Sequence, residues 1–67
     1  MTSLMSAGNR VQLTRELDDL QLHTGEVGVL VSVWQAPTPA YEVEFQLAGQ
    51  PMRVLLLEHQ IAWHSSN

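Results

Sequence analysis

Residues 24–34, Thr-Gly-Glu-Val-Gly-Val-Leu-Val-Ser-Val-Trp, decide how this chain folds. Two glycines three positions apart open a run in which every second residue is a valine. Gly25 follows a polar segment and suits a tight turn. Gly28 lies inside the run, where a glycine indicates a bulge, a bend or the close approach of another backbone. The alternation predicts a β-strand over residues 26–34.

Both faces of this predicted strand are apolar. The alternating residues Val27, Val29, Val31 and Val33 share one face at a period of two, while Leu30 and Trp34 lie on the other. A small barrel needs only one apolar face on each strand. The sequence therefore leaves two interpretations open: a bulge at Gly28 exchanges the faces midway, or one face is buried against a partner.

Length and composition bound the class of protein. The chain has 67 residues, which is enough for one domain with a hydrophobic core, and 45% of them are hydrophobic. It contains no cysteine, which excludes disulfides and favours a reducing cytoplasm. No stretch approaches the roughly 18 apolar residues of a membrane span, and the N-terminus lacks the pattern of a signal peptide. We expect a cytoplasmic protein without a membrane partner.

The charge balance argues against nucleic-acid binding. The chain has three arginines, no lysine and seven acidic residues, which give a net charge of −4. Proteins that bind nucleic acid draw much of their affinity from cations that neutralise phosphates, and an acidic chain supplies few of them. We therefore expect no nucleic-acid partner.

The order of the remaining segments predicts an all-β domain. Residues 1–9 are expected to form a flexible N-terminal arm, residues 10–64 the folded domain and residues 65–67 a polar tail. Prolines at 37 and 39 interrupt the ladder between the second and third strands. Short strands are expected at residues 10–14, 26–34, 40–47, 52–57 and 61–64.

The connections favour a small five-stranded SH3-like barrel. Residues 15–23 are predicted to form a long loop, with Leu20 and Leu22 closing one end of the core, and residues 58–60 a single 3₁₀ turn. An OB-like barrel is the main alternative, but residues 48–51 leave no room for its usual helix. The predicted core consists of Val11, Leu13, Leu22, Val27, Leu30, Val43, Phe45, Val54, Leu56 and Ile61.

Three segments together resemble a known family. Residues 11–17 read Val-Gln-Leu-Thr-Arg-Glu-Leu, residues 22–28 read Leu-His-Thr-Gly-Glu-Val-Gly, and residues 41–45 read Tyr-Glu-Val-Glu-Phe. This pattern is similar to that of small bacterial proteins of unknown function, and the similarity covers about residues 10–61. The resemblance implies an SH3-like barrel without an assigned enzyme activity, often carried on mobile or accessory DNA and sometimes beside toxin-like genes. Asp18 stands where members of the family often have proline.

No residue set predicts a reaction site. Glu42 and Glu44 share one strand face, and Arg53 is placed to pair with one of them across the ladder, which is ordinary for a solvated face. The three histidines, His23, His59 and His64, lack the spacing of a metal site. We therefore predict no catalytic residue, no cofactor and no metal, and interpret the chain as a non-enzyme.

The surplus apolar residues favour an interaction module instead. We expect a non-enzymatic protein-interaction module that self-associates as a two-fold homodimer and also accepts a protein or peptide partner. Trp34 and Tyr41 flank the proline loop, in the way that SH3 domains build grooves for peptides. The alternative is an antitoxin-like or regulatory partner of a neighbouring gene product. The candidate partner-binding residues are Val29, Val31, Val33, Trp34, Tyr41 and Leu55.

Overall fold

The computed structural model describes residues 7–35 and 37–64 as one antiparallel sheet with short connections. The strands are β1 (Arg10–Leu13), β2 (Val27–Trp34), β3 (Ala40–Leu47), β4 (Gln50–Leu57) and β5 (Ile61–Trp63). Their order across the sheet is β4-β3-β2-β1-β5, so the sheet is open between β4 and β5. The helical segments in the described ranges are two 3₁₀ turns, Asp18–Leu20 and Glu58–Gln60. The prediction of a five-stranded all-β domain is confirmed.

The core lies on one face of the sheet. Of the ten residues predicted for it, eight are buried, and Val54 is half-buried and packs against them. Val27 was predicted wrongly, because its side chain is 40% exposed. Gly28 and Leu30 take the inward positions of this strand, which turns Val27 outward. The buried side chains are Val11, Leu13, Leu22, Leu30, Val43, Phe45, Leu56 and Ile61.

A bulge in β2 exchanges the two faces of the strand at Val31. Leu30 lies opposite Val43 and Ser32 lies opposite Glu42, so one residue of β2 has no counterpart on β3. After this extra residue Val33 contacts the core, although it would face outward in a regular strand. The bulge is therefore three residues beyond the predicted position at Gly28, and the four valines do not share a face.

The first loop is folded onto the core. Leu17 and Leu22 exchange backbone hydrogen bonds, with N···O distances of 2.9 and 3.2 Å. Leu22 is fully buried, and Leu20 packs against the core from the 3₁₀ turn between them. These contacts place both Leu20 and Leu22 at the core.

The second 3₁₀ turn carries the chain from β4 to β5, as predicted. Thr14 holds it through two bonds: its N–H donates to the Gln60 carbonyl at 2.9 Å and its hydroxyl to the His59 carbonyl at 2.7 Å. The end of β1 is thereby tied to the start of β5, which pairs with it.

The ends of the chain lie largely outside the described residues. Residues 1–6 of the predicted arm and residues 65–67 of the predicted tail fall there. Near the N-terminal end of the described residues, the Gly8 N–H donates to the Leu30 carbonyl and the Leu30 N–H donates to the Asn9 carbonyl, both at 2.8 Å. The backbone just before β1 therefore already pairs with β2.

Candidate functional site

An apolar patch lies on the outer face of the sheet, opposite the core. Trp34 lies across from Ala40, and Ala40 lies across from Leu57 on the next strand. Leu55 is two positions from Leu57 and shares its face. Trp34 is 55% exposed, Leu57 43% and Leu55 60%. We call Trp34, Ala40, Leu55 and Leu57 the outer patch.

The sequence places these side chains outward because their neighbours face the core. Tyr41 packs inward on β3 and Leu56 is buried on β4, so the residues beside them turn to the other face. On β2 the bulge at Val31 sets Val33 inward and Trp34 outward. Three adjacent strands therefore present apolar side chains in one row.

A polar cluster borders the outer patch. The Arg53 Nε donates to Glu44 Oε1 at 3.0 Å, and its Nη1 lies 3.9 Å from Glu42 Oε2. The Ser32 hydroxyl donates to Glu42 Oε1 at 2.8 Å. Both carboxylates thus accept hydrogen bonds or ion pairs from their own chain, as the predicted cross-strand pairing of Arg53 implies.

A second surface feature is an open groove of about 570 Å³ along the first loop. Its lining residues are Glu16, Leu17, Asp18, Asp19 and Leu20. Beside the groove, His23 Nδ1 lies 3.0 Å from Glu16 Oε1, and the Thr24 N–H donates to Glu16 Oε2 at 2.9 Å. The Glu16 carboxylate, near the start of the first loop, therefore binds the residues at the end of that loop. We call the Glu16–His23 pair the clamp.

This clamp shifts the acid–base equilibria of its two members. The hydrogen bond to Glu16 raises the pKa of His23, and the charges of Glu16, Glu26 and Asp18 act in the same direction. The hydrogen bond to His23 lowers the pKa of Glu16, and the Thr24 N–H adds to that effect. Both side chains are exposed, so the pair is a solvated loop contact.

The structure separates the predicted partner-binding residues into two groups. Val29, Trp34 and Leu55 are exposed on the outer face, and Val31 is half-buried at the bulge. Val33 and Tyr41 lie on the inner face, where both pack against the core. Trp34 and Tyr41 therefore face opposite sides of the sheet and do not line a common aromatic groove.

Two residues of the outer patch were missing from the sequence prediction. They are Ala40 and Leu57. Ala40 is small, but it lies between Trp34 and Leu57 across the sheet and so joins them into one patch. The signal for both was present: alternation from Tyr41 and Leu56 places Ala40 and Leu57 outward. What the sequence did not reveal was the register that brings them beside Trp34.

The histidines are dispersed over the described structure. His64 Nδ1 lies 3.1 Å from Gln12 Oε1, far along the chain from the clamp at His23. In residues 7–35 and 37–64, no group of three or more His, Cys, Asp or Glu side chains is placed to hold a metal ion. Nor does any helix in these ranges have the length and apolar character needed to cross a bilayer.

Comparison with known proteins gives a match to a family model. No curated protein and no solved structure matches the chain. Residues 9–60 match the family described as "Domain of unknown function (DUF4926)", a span that runs from the residue before β1 to the end of the second 3₁₀ turn. Since this is most of its length, the chain belongs to the DUF4926 family, whose function is unknown.

Proposed function

We propose that this chain is an SH3-like barrel domain that serves as a non-enzymatic protein-interaction module and associates with a second copy of itself. The strand order, the long first loop folded over the core and the 3₁₀ turn before β5 support the SH3-like assignment. In that arrangement a strongly curved sheet wraps a single core.

The outer patch carries the proposal of an interaction module. Three large apolar side chains, Trp34, Leu55 and Leu57, are each about half exposed and lie beside one another through Ala40. Scattered apolar residues are normal on a protein surface, but a contiguous group with a polar border is typical of an interaction site. The Arg53 cluster supplies such a border.

The energy available from the outer patch fits a reversible association. Full burial of a large apolar side chain is worth about 1.5–3 kcal/mol, so covering the half-exposed Leu55 and Leu57 on each of two copies gives roughly 3–6 kcal/mol. Association costs about 4–15 kcal/mol in lost freedom and ordering. Because the gain and the cost are comparable, we expect a weak, reversible dimer whose fraction rises with protein concentration.

The polar side chains of the outer face support binding over catalysis. Glu42 accepts a hydrogen bond from Ser32 and lies near Arg53, and Glu44 accepts a hydrogen bond from Arg53, so both carboxylates already have partners in their own chain. A general acid or base needs a free approach to the proton that it transfers. The polar cluster is better suited to orient a partner than to react with one.

The mass of the protein in solution tests this proposal. Light scattering over a range of concentrations that extends into the millimolar range is expected to show an increasing fraction of dimer for the unmodified chain and a monomer for Leu55→Glu. Val27→Glu is the matched control, because Val27 is also exposed on the outer face but lies away from the outer patch. A monomeric mass for the unmodified chain at every concentration would refute self-association.

A further inference from the structure

The free edge of β4 has a defined hydrogen-bonding pattern. Ala48 and Gly49, with φ of 53° and 79°, form the two-residue turn between β3 and β4, and Leu47 and Gln50 close it. A turn of this type is closed by a hydrogen-bonded pair, and such pairs alternate along an antiparallel ladder. The odd-numbered residues of β4 therefore direct their backbone groups away from β3.

Two observations agree with this assignment. Pro51 has no N–H, and proline is accepted in a strand where that group would face outward. The Leu57 N–H donates at 2.8 Å to the side-chain oxygen of Gln60, which does not belong to β3. Neither Pro51 nor Leu57 therefore offers a free backbone N–H at this edge. Between them, the outward N–H groups of β4 are those of Arg53 and Leu55.

We propose that this edge pairs antiparallel with β4 of a second copy, across a two-fold axis at Leu55. The inference rests on the self-association proposed above and names its geometry. Leu55 of each copy exchanges both backbone hydrogen bonds with its counterpart. The Arg53 N–H of each copy then meets the Leu57 carbonyl of the other. No strand pairs with this edge in the described part of the chain.

The charge of Arg53 favours the register with its axis at Leu55 over the adjacent register with its axis at Val54. With the axis at Val54, the Arg53 side chains of the two copies would be diagonal neighbours about 7–8 Å apart, and like charges at such positions repel. With the axis at Leu55, four residues along the strand separate them, or about 13 Å. Arg53 is the one charged residue of β4, so no carboxylate opposes a carboxylate across the seam.

The Leu55 register also joins the two outer patches. Leu55 contacts its own counterpart, and Leu57 of each copy is diagonal to that contact. A single apolar strip then runs from Trp34 of one copy, through Ala40, Leu57 and both Leu55 side chains, to Trp34 of the other. Both tryptophans stay exposed at the ends of the strip, where they remain open to a further partner.

The size of the seam predicts its strength and its closure. Few residues of each copy meet, which places the interface at the small end of protein interfaces, below about 1,200 Å² in total. Such an interface gives a reversible dimer. A two-fold contact uses the same edge of both copies, so assembly stops at two. The other edge, β5, spans only Ile61–Trp63.

Single cysteines test the axis directly, since the chain contains none of its own. In the proposed dimer the two Leu55 Cα atoms lie about 5.5 Å apart, within the range that a disulfide spans. Leu55→Cys is therefore expected to form a covalent dimer on mild oxidation. Arg53→Cys, two residues away and equally on the outer face, is the matched control and is expected to stay at background, because about 13 Å separates its copies.

Two further variants separate edge pairing from stacking of the outer faces. Leu55→Pro removes an outward donor and is expected to give a folded monomer, whereas Trp34→Glu is expected to leave the dimer intact. If Leu55→Pro does not fold, the comparison of Leu55→Cys with Arg53→Cys still tests the edge pairing. A dimer that Trp34→Glu dissociates and Leu55→Cys does not link overturns the edge geometry but preserves self-association. An unmodified chain that stays monomeric overturns both, and a mass above that of a dimer overturns the two-fold axis.

Discussion

Gly28 lies so close beneath Val43 that a Cβ atom on Gly28 would approach Val43 Cγ1 to 2.6 Å. The same atom would lie 2.9 Å from the Glu44 carbonyl oxygen and 2.9 Å from Phe45 Cδ1. The carbonyl belongs to the backbone of β3, which cannot yield without disturbing the sheet. Gly28 therefore serves the close approach of another strand, while the bulge of β2 lies at Val31.

The first prediction concerns this contact. Gly28→Ala is expected to lower the free energy of unfolding by about 1–3 kcal/mol, because the added methyl group overpacks a filled core. Urea denaturation followed by tryptophan fluorescence measures the change. The control is Val29→Ala, next along the strand but exposed, which is expected to change stability by no more than about 0.5 kcal/mol. Equal effects of the two substitutions would contradict the close packing.

The second prediction concerns the turn between β3 and β4. Ala48 has a φ of 53° and precedes Gly49, so both central residues are left-handed. That conformation costs an ordinary L-residue about 1–2 kcal/mol, and asparagine followed by glycine is the pair best suited to it. Ala48→Asn is expected to raise the thermal midpoint and Ala48→Val to lower it. A change of the same sign in both variants would refute the turn geometry.

The strands were largely readable from the sequence because most of them alternate cleanly. Tyr41, Val43 and Phe45 face one side and two glutamates the other, so the sequence predicts a strand at residues 40–47, which are the bounds that the structure gives. The second strand offered no such contrast. Both faces of this strand are apolar, so an extra residue at Val31 leaves no mark in the hydropathy pattern. The position of the bulge therefore cannot be predicted from the sequence.

The candidate site was accordingly only half predictable. Leu55 was correctly placed outward by alternation with Leu56. Val33 continues the valine run and Tyr41 flanks the proline loop, which makes both of them candidates in the sequence, yet the bulge turns Val33 inward opposite Tyr41. A cross-strand register depends on three-dimensional pairing, and hydropathy along one strand does not contain it. The same bulge that moved Val33 inward is what placed Trp34 on the outer face.

The third prediction concerns pH. The pKa of His23 is raised from its ordinary value of 6.5, so its contribution to stability is present below that value and is lost as pH rises through the folded-state pKa. The pKa of Glu16 is lowered from 4.5, so its contribution is present above 4.5 and is lost as pH falls through its folded-state pKa. The clamp should therefore stabilise the first loop most between pH 4.5 and 6.5.

An NMR titration of the histidine ring protons checks this directly. The pKa of His23 is expected to lie above its ordinary value of 6.5 in the unmodified chain and to move downward in Glu16→Gln, because the charged acceptor is lost. Some upward shift should persist, since the charges of Glu26 and Asp18 also favour the protonated ring. An unchanged midpoint in Glu16→Gln would rule out the clamp in solution.

The last prediction concerns the first loop, which we expect to unfold together with the core and not to move independently of the sheet. Leu22 is fully buried among the core residues, although it belongs to a loop and not to one of the five strands. Leu22→Ala is expected to cost about 2–5 kcal/mol, the range for a buried leucine that leaves a cavity. Leu20→Ala, two residues away and only half-buried, removes the same atoms at a smaller cost. Urea denaturation should show a lower midpoint for Leu22→Ala with an unchanged slope, because the same surface unfolds. If the loop moved independently of the sheet, both substitutions would leave the midpoint of the global transition where it was.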